Sequence, residues 1–116
     1  MSLRDDALKL HVDYKGKLEV MSKVPVKDRE GLSLAYTPGV AEPCKEIHQH
    51  PEAIFQYTAK GNMVAVVSDG SAVLGLGHIG GPASLPVMEG KAVLFKCFCG
   101  VDVSPICVHT QDPDKI

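Results

Sequence analysis

No stretch of this 116-residue sequence stays apolar for the roughly 20 residues that a membrane-spanning helix takes. The N-terminus, MSLRDDALKL, carries acidic residues where a secretory signal needs a basic flank and an apolar core. Neither charge dominates: 12 basic residues face 14 acidic ones, for a formal net charge of −2. With no basic stripe either, there is no electrostatic case for nucleic acid as a partner. A membrane partner is likewise not expected, and the expected location is cytoplasmic. Internal repeats and low-complexity segments are both missing.

The cysteines lack the paired CxxC spacing of a zinc site; Cys97-Phe-Cys99 is the nearest approach to one. Without a secretory signal, disulfides are not expected. Cys44, Cys97, Cys99 and Cys107 are therefore read as buried free thiols. His48 and His50 stand at i and i+2, which point apart on a helix, so both are read as surface residues.

What is there is the material of a globular protein: 45% hydrophobic and 22% charged residues. The length suits one domain, or part of one, with a modest core. Ser2 is placed to cap a first helix carrying Asp5 at its third position, with Leu3, Ala7, Leu10 and Tyr14 at helical spacing and Gly16 at its end. Leu18 to Val24 alternates enough for a short strand or an extended arm. Asp28 caps a short helix through Leu32, Leu34 and Ala35, which must stop near Tyr36 because Thr37 precedes Pro38 and Gly39. Tyr36 alone reads as either a packing residue or a catalytic one.

Val40 to Gln49 reads as a helix, and Pro51 opens another short one in which Ile54, Phe55 and Tyr57 are expected to pack inward. Thr58 to Asn62 is a turn ahead of a strand at Val64. A helix over about 84–97 and a strand over 101–108 complete a βαβ unit. The predicted class is α/β: a small parallel sheet flanked by helices, with an N-terminal helix and extended arm. Asp112-Pro113 starts a further helix whose first turn is cut at Ile116, so the chain reads as a fragment of a larger two-domain enzyme.

The stretch from Val64 to Lys96 carries the chemistry. Gly75-Leu-Gly77-His-Ile-Gly80 fits G-x-G-x-x-G between a strand and a helix, the pattern of a dinucleotide site. Ser68 to Leu74 intervene, however, where that pattern turns directly out of its strand. The alternative is a tight backbone turn beside a substrate pocket. Further on, Lys91 sits among Val87, Met88, Ala92, Val93 and Leu94. Such a lysine either snorkels to water or is held for chemistry.

Three ordered segments resemble the N-terminal domain of the malic enzymes, closest to the short bacterial-type malate oxidoreductases. They are LSLAYTPGVAEPCKEI from Leu32, YTAKGNMVAVVSDGSAVLGLGHIG from Tyr57, and PVMEGKAVLFKCFCGVDVSPI from Pro86. The resemblance covers nearly all of residues 1–116 and is weakest before Leu18. It implies oxidative decarboxylation of L-malate to pyruvate and CO2, with NAD or NADP and Mg2+ or Mn2+, in a homodimeric enzyme. By motif, Tyr36 in AYTPG matches the general acid, and Lys91 in MEGK matches the general base that also contacts substrate. The family's acidic metal ligands and its nicotinamide-binding Rossmann domain follow this region, so no metal or cofactor ligand is assigned here and the chain alone is expected to be inactive.

Two positions depart from the family pattern: His78 stands where the short enzymes usually have asparagine, and Ala72 stands where larger members have a malate-binding arginine. The readings outside catalysis are a dimerisation module and a dinucleotide-binding module through Gly75–Gly80. A lysine works as a base only where burial or a nearby cation favours its neutral form. Val87, Met88 and Val93 are expected to supply the burial, Gly90 to let substrate approach the helix, and Glu89 to solvate it.

Overall fold

The computed structural model describes residues 1–116, which divide into two compact units: 1–18 together with 63–116, and 19–62.

In the first unit, helix α1 (Leu3–Tyr14) begins with the capping box that its sequence promises. Ser2 Oγ accepts from the Asp5 N–H at 3.2 Å, and the Asp5 carboxylate accepts from the Ser2 N–H at 3.3 Å. The helix closes one residue before the expected glycine: Lys15 takes the left-handed conformation at φ 54°, and Gly16 follows at φ 92°. The N–H groups of Lys15 and Gly16 reach back to the Val12 and His11 carbonyls, which repays the uncommon φ at Lys15.

Strand β1 (Met63–Ser68), helix α5 (Gly81–Cys99) and strand β2 (Asp102–Cys107) form the expected βαβ unit. The strands pair in parallel, from Met63 opposite Asp102 to Ser68 opposite Cys107. Pro105 cannot donate to a ladder but is tolerated in this two-stranded sheet, where β2 is an edge. Helix α5 packs chiefly on β2 and presents Gly81, Ser84, Met88 and Ala92, spaced three or four residues apart, to the sheet. Met88 and Ala92 are 7% and 2% exposed and make the apolar core. The helix starts ahead of the expected Ser84, because Gly80 serves as its N-cap and Pro82 suits its first turn. It also runs through Pro86, forgoing one backbone hydrogen bond.

The second unit opens with residues 19–28, which form the extended arm rather than a strand. Three helices follow: α2 (Arg29–Ala35), α3 (Ala41–Gln49) and α4 (Ile54–Tyr57). Asp28 Oδ1 accepts from the Gly31 N–H at 2.8 Å and starts α2 as expected. Short 3-10 turns at Pro51–Ala53 and Ala59–Gly61 flank α4. The inward packing expected of Phe55 and Tyr57 is not found: Ile54 is half-buried, but both aromatics are exposed, and the Lys60 ammonium stands 5.8 Å over the Phe55 ring. A four-residue helix has no second layer of its own to fold them under.

The thiols are free, but the expected burial holds for none of them: Cys44, Cys97 and Cys99 are exposed, and Cys107 is only half-buried. Cys97 and Cys99 lie in the last turn of α5, past the part that covers the sheet. His48 and His50 are exposed, as expected. No helix is long and apolar enough to cross a membrane.

Candidate active site

The two parallel strands end side by side, and the start of α5 closes over their ends. Val108 extends the pairing by donating its N–H to the Ser68 carbonyl at 2.9 Å. Gly81 has to be glycine at this point, since a Cβ there would stand 2.5 Å from the Val108 carbonyl oxygen. Ser84, fully buried one turn on, donates to the Gly81 carbonyl at 2.7 Å and lies 3.5 Å from Cys107 Sγ.

Between β1 and α5 the chain makes a compact loop. The Ile79 and Gly80 N–H groups both donate to the Gly70 carbonyl, at 3.0 and 3.2 Å. Gly70 has φ 69°, and a side chain there would run into the Gly80 carbonyl. At the loop tip, Val73 and Gly77 exchange backbone hydrogen bonds of 2.8 and 2.7 Å. Gly75 and Gly77 serve this reversal with φ of 81° and 71°. The G-x-G-x-x-G segment is therefore a self-bonded turn. Its first glycine lies seven positions beyond the end of β1, whereas a dinucleotide fingerprint turns straight out of its strand. Gly80 alone keeps a fingerprint-like place, at the N-cap of α5.

The strand ends and the loop enclose an open cavity of about 390 Å³ lined by Asp69, His78, Gly80, Gly81, His109 and Thr110 among others. Asp69 Oδ1 accepts from the Ser71 N–H at 2.9 Å. The Ser71 hydroxyl and this N–H hold the Asp69 carboxyl below its ordinary range, and His78 adds a smaller pull in the same direction. Asp69 and His109 were not picked out from sequence. Their signal was positional: in open α/β sheets, ligands gather at the carboxyl ends of the strands. Ala72 lies exposed in the loop and offers no cation to a carboxylate.

Lys91 lies on α5, three residues after Met88, which puts it about 60° around the helix from the buried ridge. It is exposed, contrary to the expected burial. Of the residues expected to cover it, Met88 faces the sheet, Val93 is half-buried and Val87 is itself exposed. Gly90 lies under the Lys17 side chain, with Lys17 Cε 3.8 Å from where a Cβ would be. Glu89 does not merely solvate the helix. It is half-buried, and Oε2 accepts from the Lys17 N–H at 3.3 Å.

Tyr36, in the second unit, is the C-cap of α2 and is 65% exposed. Its N–H donates to the Leu32 carbonyl at 2.8 Å, and its carbonyl accepts from the Val40 N–H at 2.6 Å. The Thr37–Pro38 bond that follows is cis. Gly39 donates to the Ser33 carbonyl at 2.8 Å and passes too close to it for any side chain. Tyr36 is thus fixed by backbone bonds before and after it, with its side chain largely exposed.

No group of three or more His, Cys, Asp or Glu residues is arranged to hold a metal ion. The carboxylate and imidazoles of the cavity do not amount to such a set, so these residues do not fit a divalent-metal centre by themselves.

Residues 15–116 match the family model described as malic enzyme, N-terminal domain. The chain is 65% identical over 116 residues to the bifunctional malic/malolactic enzyme of Bacillus subtilis, covering all of this chain and 28% of that protein. It is 53% identical over 116 residues to the NAD-dependent malic enzyme of Geobacillus stearothermophilus, covering 24% of it. Other matches are named NADP-dependent malic enzymes. The crystal structure of malic enzyme from Pyrococcus horikoshii superposes with a TM-score of 0.90 at 55% identity, over 98% of this chain and 27% of that one. The chain thus spans between 15% and 28% of the length of these relatives. With the domain model matched from Lys15 to Ile116 and the fold shared at this identity, the chain belongs to the malic enzyme family and corresponds to its N-terminal domain.

Proposed function

We propose that this chain is the N-terminal catalytic part of an enzyme that oxidatively decarboxylates L-malate to pyruvate and CO2 in the cytoplasm. Lys91 is its general base and a substrate contact, and Tyr36 is its general acid. The observation that carries the reading is the placement of Lys91. It projects from a helix seated on a parallel sheet, on a flank that leaves the ammonium exposed for a substrate to reach, so a cation held by the rest of the enzyme, and not burial in this chain, has to favour the neutral amine.

In this reading the Lys91 amine takes the C2 hydroxyl proton of malate as the alcohol is oxidised. After CO2 has left, the Tyr36 phenol gives a proton to C3 of the enol and pyruvate results. A phenol is protonated in neutral solution and suits the donor role. The hydride acceptor, NAD or NADP, and the metal, Mg2+ or Mn2+, are assigned to parts of a full-length protein outside this chain, so no step through them is placed on these residues. Residues 1–116 alone are correspondingly inactive. Reduced-cofactor absorbance that scales with the concentration of purified chain, in the presence of malate, metal and NAD or NADP, would contradict this.

The decisive variant is Lys91→Ala in the full-length enzyme. Its turnover should fall by roughly 10²–10⁴, the span of a general base, and a small primary amine should restore part of it. Near-normal turnover would make Lys91 a snorkelling surface lysine and end the proposal.

An assembly role is favoured by a separate observation. Helix α1 buries none of its residues, and it exposes Leu3, Leu8, Val12 and Tyr14, as the arm exposes Val20 and Met21. These surfaces suit a homodimer. Sedimentation of the chain at micromolar concentration should show the dimer, and a well-folded monomer would exclude it.

A further inference from the structure

Glu89 lies two residues before Lys91 on α5 but projects from the opposite flank of the helix. It makes no ion pair with Lys91. Its carboxylate instead enters the turn that ends α1. Oε2 accepts the Lys17 N–H at 3.3 Å, and both oxygens lie 3.1 Å from where a Cβ of Gly16 would be. That approach is open because residue 16 is glycine, with φ 92°.

The same turn is tightened from its other side. Lys17 Nζ lies 2.6 Å from His11 Nε2, and His11 Nδ1 lies 2.7 Å from the Ala7 carbonyl oxygen. The carbonyl can only accept, so Nδ1 carries the proton, and Nε2 is left to accept from the Lys17 ammonium. The Lys17 stem meanwhile crosses Gly90. One side chain of α5 is thus bound to a backbone turn that is itself braced onto α1.

We infer that Glu89 is a positioning residue for Lys91, a role that rests on the assignment of Lys91 as the base. Two sets of contacts flank α5. Met88 and Ala92 seat one ridge on the sheet, and Glu89 pins the flank about 100° from Met88 to the end of α1. The turn lays the Lys17 stem over Gly90, which lies between Glu89 and Lys91 around the helix, and so walls one side of the Lys91 stem. Without Glu89 the turn loses its hydrogen bond to α5, and α1, which buries none of its residues, packs on no other element, whereas Gly81, Ser84, Met88 and Ala92 keep the helix itself on the sheet.

The test uses the full-length enzyme with Glu89→Ala, Glu89→Gln and Lys91→Ala. Glutamine keeps an oxygen that can accept from Lys17, whereas alanine does not. Misdirecting Lys91 should lower kcat in Glu89→Ala about three- to tenfold, with KM for malate within about twofold of wild type. Glu89→Gln should stay within about twofold of wild type in both. Hydrogen exchange at Lys17 and the last turn of α1 should quicken in Glu89→Ala and not in Glu89→Gln. Activities are compared at a temperature below the measured thermal midpoint of every variant, so that all forms are folded during the measurement.

Unchanged kcat in Glu89→Ala, or an equal loss in the glutamine variant, would overturn the inference. Near-normal turnover of Lys91→Ala would overturn the Lys91 assignment and this inference with it. An inactive Lys91→Ala beside a fully active Glu89→Ala would overturn this inference alone.

Discussion

The two proposed catalytic residues are held in different ways. Lys91 stands on a helix that covers a sheet, and the unit around it buries Gly70, Gly81, Ser84, Met88 and Ala92. Tyr36 stands in a unit, residues 19–62, where no residue is fully buried. What shapes that unit is backbone bonding at its helix ends: the Asp28 cap, the Tyr36 and Gly39 turns, and the Thr58 hydroxyl accepting from the Lys60 N–H at 3.2 Å. The contrast teaches that a base directed by side-chain packing and an acid directed by local turns fail by different routes. Core changes should reach the first, and cap changes the second.

The largest structural effect is expected from Met88→Ala. Emptying this position should destabilise the β1–α5–β2 unit by about 2–5 kcal/mol, at the low end if the shallow core collapses around the gap. Denaturant unfolding measures the loss, and amide exchange should show it in 63–116. Protection lost equally in 19–62 would break the comparison.

Asp28→Ala should cost less, about 1 kcal/mol, and fray α2 without loosening α5. Circular dichroism and exchange at Gly31 and Leu32 would report it. A loss spread over both units would mean that the cap is not the local device it looks like.

The smallest effect concerns the strand end. Ser71 holds the Asp69 carboxyl below its ordinary value, so ionised Asp69 favours the folded state. That contribution is complete above the unfolded carboxyl value of about 3.9 and fades as pH drops through the lower folded value. Ser71→Ala should raise the Asp69 titration toward the ordinary range, as read by NMR. An unmoved titration would remove Ser71 as the cause.

Much of this was legible in the sequence because it is written in local chemistry. Ser2 with Asp5, and Asp28, each place a helix start from a few neighbouring residues, and Asp112 with Pro113 places the 3-10 turn Pro113–Lys115. The strands and their crossover helix followed from an apolar run, an intervening helical stretch and a second run. The start of α5 was misplaced because Gly80 and Pro82 also read as loop residues, and only the approach of Gly81 to Val108 explains why a helix begins there.

Relations between distant residues were not legible. Nothing near Glu89 in the sequence points to Lys17, 72 positions away, and solvation was therefore the natural reading of a charge on a helix. Lys91 looked buried because its sequence neighbours are apolar. On a helix those neighbours point in other directions, and Met88 alone among Val87, Met88 and Val93 is buried, facing the sheet. Asp69 and His109 were overlooked for a related reason: they meet only where two strand ends lie side by side.

The division of labour between the two residues is the central claim, and protonation of enolpyruvate tests it most directly. In the full-length enzyme, Tyr36→Phe removes a hydroxyl from an exposed ring and leaves the α2 turn in place. Conversion of enolpyruvate to pyruvate should be impaired in Tyr36→Phe by about 10²-fold or more, the scale of a positioned acid, with hydride transfer from malate affected less. Normal enol protonation in Tyr36→Phe, with the loss confined to hydride transfer, would contradict the account.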